Sequence, residues 1–332
     1  MAPMEDSPGR TWALPGTPAD EGQVANATAS SASARVEPAD VAAPAPAGAG
    51  MRGTPVLGLR PMTVADILDG GFAVLKERPQ RILGMTALFV VPAQLLIAFL
   101  QRDALDGSSV IDIWTADPTV LEEQANTTNA EIVATILQLV LPALALVAIA
   151  AALAHLVAGW SVGRDPSAGE MLGVVGRRSW PLLASFVLVK LAEGIGILGC
   201  YVGVVFVMPL FVSVAPVIGV EGLGPVAAMK RSWRLTGRRY WPVLGIALLM
   251  AVVSLVLGLG LSFLPQAAAA WIGLEAGWPL LALGQIVQHM LIIPFVAAAT
   301  VLLYLDLRVR TEGLDIELDA TEVFDGAAGR AG

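Results

Sequence analysis

From Trp241 to Leu264 the sequence runs for more than 20 residues without a charged side chain. A helix of that length crosses the roughly 30 Å hydrocarbon core of a bilayer. In lipid the backbone must satisfy its own N–H and C=O groups, which restricts such a segment to a helix. Just ahead of it lies Pro225 to Arg239. Gly224 followed by Pro225 predicts a helix start, because Pro at the first helical position loses only an amide that would be unpaired anyway. The reading places Val226, Met229 and Trp233 on one face of a short amphipathic helix, and Lys230, Arg231 and Arg234 on the other. Gly237-Arg238-Arg239 then forms a basic elbow whose arginines are expected to stay on the cytoplasmic side.

The whole chain follows this style. It is 56% hydrophobic and 14% charged, with a mean hydropathy of +0.71, against roughly 25% charged in soluble proteins. The apolar residues come in long blocks rather than at helical or strand spacing, which predicts an all-α, polytopic transmembrane bundle. The formal charge of −8 conceals a segregation: acidic residues gather in one loop and at the termini, basic residues beside the apolar blocks. No basic face remains once the spans are removed, so nucleic-acid binding is excluded. Cys200 is the only cysteine, which rules out an intramolecular disulfide and a Cys-based zinc cluster. The lysines are only Lys76, Lys190 and Lys230, and with abundant Ala, Gly and Pro this bias resembles a GC-rich bacterial genome.

Three regions follow. Residues 1–56, rich in Ala, Pro, Gly and Ser, are expected to be a disordered cytoplasmic tail without a signal peptide. Residues 57–310 form the membrane domain, and 311–332 a polar cytoplasmic tail. Within the domain, Thr63 with Asp66 predicts a capping box for an amphipathic helix that Pro79 closes. Spans are expected at about 82–100, 132–160, 241–264 and 279–304. Between Pro181 and Val220 an apolar stretch of twice one crossing is split near Gly199–Gly203. Pro209 and Pro216 leave open a broken or re-entrant second half. Gly199 and Gly203 also form a GxxxG spacing suited to close helix contact. Six spans with both termini in the cytoplasm satisfy the charge bias of every countable loop, and the cell membrane is the expected location.

An internal repeat runs through this plan. Phe72 to Gly84 aligns without gaps on Trp233 to Gly245, and Leu172 to Ala184 is a weaker third copy. Each copy reads as interfacial helix, basic elbow, span out and span back; convergence on the same simple pattern is the alternative to duplication.

The segments LRPMTVADILDGGFAVLKERPQRILG, LGPVAAMKRSWRLTGRRYWPVLG and LLYLDLRVRTEGLDIEL together resemble the glycerophosphoryl diester phosphodiesterase membrane domain family, over about residues 57–318. The resemblance implies a six-span bacterial membrane fold. It does not carry the phosphodiesterase activity across, since a catalytic barrel needs roughly another 250 residues and the only histidines, His155 and His289, fall inside spans.

Two polar sets stand out within the apolar blocks. Lys190 and Glu193 lie on one face of the third span near mid-depth, where ionisable groups are costly and usually face an interior or cavity. Gln285, Gln288 and His289 share a face of the sixth span, either joining that pair in one cluster or bonding neighbouring helices. Gln94, Gln138 and His155 read as packed or interfacial residues. Arg78, Arg81, Arg177, Arg178, Arg238 and Arg239, with Trp180, Trp233 and Trp241, are candidates for head-group and interface contacts, with topological anchoring as the simpler role. No nucleophile–base pair, metal set or nucleotide-binding motif can be assembled. The expected function is a non-enzymatic integral membrane protein that organises or assists membrane partners or envelope lipids. The alternative is a small carrier for a lipid or hydrophobic solute. The expected partners are membrane lipids and, as a second class, other membrane proteins; no cofactor or metal is expected.

Overall fold

Every element in the computed structural model, which describes residues 61–101, 129–197, 202–272 and 274–313, is a helix. The expected disordered tail, nearly all of the acidic loop after the first span, Gly199, Cys200 and the polar tail past Gly313 lie outside the described residues. In chain order the helices are α1 (Val64–Glu77), α2 (Pro79–Gln101), α3 (Asn129–Ser161), α4 (Ala168–Arg177) and α5 (Ser179–Ile197). Then follow α6 (Val202–Phe211), α7 (Val214–Glu221), α8 (Pro225–Gly237), α9 (Tyr240–Ile272) and α10 (Leu274–Glu312). Six stretches among them are long and apolar enough to cross a membrane, which makes the chain a multi-pass helical membrane protein.

The short helices start where the sequence provides caps. Thr63 Oγ1 accepts from the Asp66 amide at 3.2 Å while the Asp66 carboxylate accepts from the Thr63 amide at 2.8 Å. Ser167 and Glu170 form the same reciprocal box at the head of α4. Such caps contribute about 1 kcal/mol each. At the head of α8, Gly224 precedes Pro225 as expected. An arginine stands at each turn from short helix to span: Arg78 before α2, Arg178 before α5, and Arg238 with Arg239 before α9.

The stretch from Pro181 to Val220 splits where the sequence suggests, and its second half is broken once more. Helix α6 ends at Phe211 and α7 begins at Val214, so the fourth span has a non-helical joint at Val212–Ser213, just past Pro209. A break inside a membrane must re-satisfy the freed backbone groups. Ser232 of α8 does so, donating from Oγ to the Leu210 carbonyl at 2.8 Å. Gly203 of the GxxxG pair makes a close helix contact with Gly196 of α5, where a methyl group on Gly203 would lie 2.4 Å from the Gly196 carbonyl oxygen; Gly199 lies outside the described residues.

Helix α10 is the post around which the rest is arranged. It touches α9, α3, α2 and α1; 78% of its most apolar stretch is buried, against 17% for that of α5. It also continues well past the expected end of the sixth span. Salt bridges at helical spacing, Asp306–Arg310 and Arg308–Glu312, carry it to Glu312, and Gly313 at φ 67° closes it. The exit segment is therefore structural, and the helix takes in the first two residues of the expected polar tail. Buried Asp306 accepts from the Met62 amide at 2.7 Å, and Arg310 donates to the Met62 carbonyl at 2.6 Å. The two ends of the described domain are tied together at this point. Phe72 of α1 stacks on Phe295 of α10 with ring centroids 4.3 Å apart, seating α1 along the post.

Candidate functional site

A cavity of about 380 Å³ lies among α3, α5, α6, α7, α9 and α10, within the roughly 300–1,000 Å³ typical of small-molecule sites. Its walls are aliphatic and aromatic: Ala150, Phe186, Met208, Phe211, Met250 and Val296 are representative. The broken fourth span contributes to this space, because the joint at Val212–Ser213 lets Phe211 and Ala215 both line it. The cavity is open sideways on the flank where Lys190 and Ala251 are exposed.

Its polar features are few. Lys190 Nζ donates to Glu193 Oε2 at 2.7 Å and lies 5.8 Å from the centre of the Phe186 ring. The Lys190 side chain is 43% exposed and that of Glu193 19%, so the pair sits at the mouth with its carboxylate turned inward. Ser254 Oγ is buried and has no hydrogen-bond partner among the described residues, whereas Ser185 Oγ, also in the lining, donates to the Leu182 carbonyl at 2.8 Å. At a rise of about 1.5 Å per residue, Glu193 lies about 21 Å along α5 from Ser179, and Ser254 about 21 Å along α9 from Tyr240. Both helices leave from the arginine-bearing side, so the two groups share one depth. Ser254 was missed in the sequence because a serine in an apolar span ordinarily bonds its own helix, as Ser262 does to the Gly258 carbonyl at 2.7 Å.

The five candidate intramembrane residues separate into two places. Lys190 and Glu193 line the cavity; Gln285, Gln288 and His289 do not, and α10 reaches it through Ile292, Val296 and Thr300 instead. The His289 Nδ1–H donates to the Gln285 carbonyl one turn back at 2.8 Å, and the Gln288 amide lies over Gly258 of α9. His289 thus makes a contact within α10 and Gln288 one between α9 and α10. Among the described residues no three His, Cys, Asp or Glu side chains come together as a metal-ligating group.

The elbow arginines also divide. Arg78 and Arg81 both donate to Asp165, at 3.3 and 2.9 Å, and Arg178 donates to the Gly222 carbonyl at 2.5 Å. Arg177, Arg238 and Arg239 make no such side-chain contact among the described residues, and Trp180, Trp233 and Trp241 are exposed. The face assignment on α8 needs correcting. Lys230 and Arg234 lie on the same side as Val226, Met229 and Trp233, together lining an outer groove. Arg231 points inward to Glu221 and Glu312.

Comparison with known families finds a match to the domain of unknown function DUF7847 over residues 111–307. The chain belongs to the DUF7847 family. The DUF7847 region contains every residue that lines the cavity, from Ala143 to Thr300, and leaves α1 and α2 outside. It does not link the chain to the glycerophosphoryl diester phosphodiesterase membrane domain, which stands as a resemblance of the three quoted segments. No curated protein and no solved structure matches this DUF7847 member.

The clasp at Asp165 gives a pH prediction. Desolvation pushes this carboxyl up, but the Trp160 indole N–H, Arg78 and Arg81 outweigh it and hold the group below its usual range. A carboxyl lowered on folding contributes stability above its unfolded pKa of about 3.9 and loses it as pH falls through the lower folded value. Asp165→Asn is expected to destabilise detergent-purified protein near neutral pH by up to about 1 kcal/mol for this partly exposed group, read as a lower thermal midpoint. The gap from wild type should close in strongly acid buffer.

Proposed function

We propose that this chain is a non-enzymatic integral protein of the cell membrane, both ends cytoplasmic, that holds a neutral long-chain amphiphile in the cavity. Within the broader expectation of a protein that assists membrane lipids or partners, the carrier-type reading has the better physical support. The observation that carries it is the Ser254 hydroxyl, unpaired among the described residues at the depth of Glu193, inside a mostly apolar space. A buried hydroxyl left unpaired costs about 1–3 kcal/mol, and a hydroxyl or carbonyl on a bound molecule would remove that cost. Lys190 and Glu193 neutralise each other, so the site favours a hydrogen-bonding head over a formally charged one. The arginine-bearing junctions support the cytoplasmic orientation.

The test is retention of a monoacylglycerol by the full chain in mild detergent, read by native mass spectrometry. Ala251→Phe narrows the mouth from an exposed position, and Ser254→Ala removes the hydroxyl. Each is expected to reduce retained probe about tenfold. Unchanged retention in both variants would sink the cavity reading. A partner-organising role draws on the exposed indoles of Trp180 and Trp241, and predicts instead a stoichiometric protein that co-purifies from native membranes.

A further inference from the structure

The outward face of α8 forms a second, separate feature. Val226, Met229, Lys230, Trp233 and Arg234, with Leu188 of α5 and Phe211 of α6, line an open groove of about 770 Å³. Their spacing puts all five α8 residues on one helical stripe. The opposite stripe is already used: Ala228, Ser232, Leu235 and Thr236 are buried, and Arg231 is engaged by Glu221 and Glu312. Lys230 and Arg234 are both exposed, and neither makes a hydrogen bond or ion pair among the described residues. Glu221 and Glu312 are bonded to Arg231 on the inner side of the helix. The groove therefore combines two cations, one turn apart and unpaired among the described residues, with an apolar floor.

We propose that this groove binds one anionic phospholipid of the surrounding bilayer, its phosphate between Lys230 and Arg234 and one acyl chain along Leu188, Met229 and Phe211. Residues four apart on a helix stand about 5–6 Å from each other at Cβ, close enough for both cations to reach one phosphate. Trp233 lies between them, 53% exposed, with an indole N–H suited to the glycerol or phosphodiester oxygens. Its ring is held 6.0 Å from that of Phe211, which fixes the apolar floor beneath the charged rim. The position agrees with head-group depth, since α8 ends where the span beginning at Tyr240 starts. A neutral lipid would leave both cations unpaired, and a free anion would leave the floor uncovered. Phe211 also lines the inner cavity, so the acyl chain would rest on that cavity's outer wall. The assignment does not depend on the cavity being occupied.

The experiment presents the full chain in detergent with equimolar phosphatidylglycerol and phosphatidylcholine, and counts retained lipids by native mass spectrometry. Wild type is expected to retain phosphatidylglycerol preferentially. Lys230→Gln with Arg234→Gln should cut that preference by about thirtyfold, the effect of two basic residues at a membrane surface. Lys230→Arg with Arg234→Lys should keep it. Both pairs change exposed side chains, and circular dichroism checks that the helices persist. A Gln pair that retains native helicity and an undiminished preference would overturn the proposal. So would an equal loss from Arg177→Gln with Arg238→Gln, which would assign binding to the elbows. Ala251→Phe should leave phosphatidylglycerol retention unchanged while reducing monoacylglycerol retention, so the groove and the cavity succeed or fail separately.

Discussion

Replacing Arg231 by Met is expected to cost about 3–5 kcal/mol of stability, the usual penalty for stranding partly buried charges. The Arg231 side chain is only 18% exposed and lies between two carboxylates. Its Nε donates to Glu221 at 3.0 Å, and both terminal nitrogens donate to Glu312, one of them at 2.7 Å. The Tyr304 hydroxyl adds a bond to Glu221 at 2.8 Å. The hydrogen bond to Glu312 raises the Arg231 pKa above its ordinary value; burial opposes this, and Glu221 reinforces it. One guanidinium thus joins α7, α8 and α10. Without it Glu221 and Glu312 are left with fewer partners, and Arg308, 3.3 Å from Glu312, relieves only one of them. Thermal unfolding in detergent should show a large drop for Arg231→Met and a smaller one for Glu312→Gln, which leaves Arg231 paired with Glu221. Equal midpoints for wild type and Arg231→Met would refute this account of the junction.

The second large effect is expected at Gly219. A methyl group there would sit 2.3 Å from the Ala151 carbonyl oxygen and 2.9 Å from its Cα. These are backbone atoms of α3 and cannot swing aside, so α7 must move off α3. Gly219→Ala should cost about 1–3 kcal/mol, as overpacking does, and Gly219→Val more. Gly245→Ala provides the contrast. Nothing lies within 4 Å of a methyl at Gly245, and an Ala inside an exposed helix is favoured over Gly by about 0.5–1 kcal/mol. Similar midpoints for Gly219→Ala and Gly245→Ala would contradict the close approach of α3 and α7.

The sequence exposes those features that depend on length and local order. Apolar runs longer than one crossing mark the spans, Thr63 with Asp66 marks the start of α1, and arginines mark the junctions. Features that depend on neighbours are hidden. Lipid tails and a protein interior are equally apolar, so the apolar residues of α10 do not separate it, as the central post, from the outer spans. The charges of α8 look equivalent along the chain, and only docking against Glu221 and Glu312 distinguishes Arg231 from Lys230 and Arg234. Lys190 with Glu193 was legible because both lie on one span. Their association with Ser254 was not, since it requires two helices to reach the same depth side by side.

Photolabelling tests the cavity most directly, using a long-chain alcohol with a diazirine at its tail and mapping the adducts by peptide mass spectrometry. The proposed function predicts adducts on Met250, Ile292 or Val296, which line the cavity, and their loss in Ala251→Phe. Adducts confined to outward-facing Leu255, Leu259, Phe263 and Leu264, all at least 60% exposed, would contradict it.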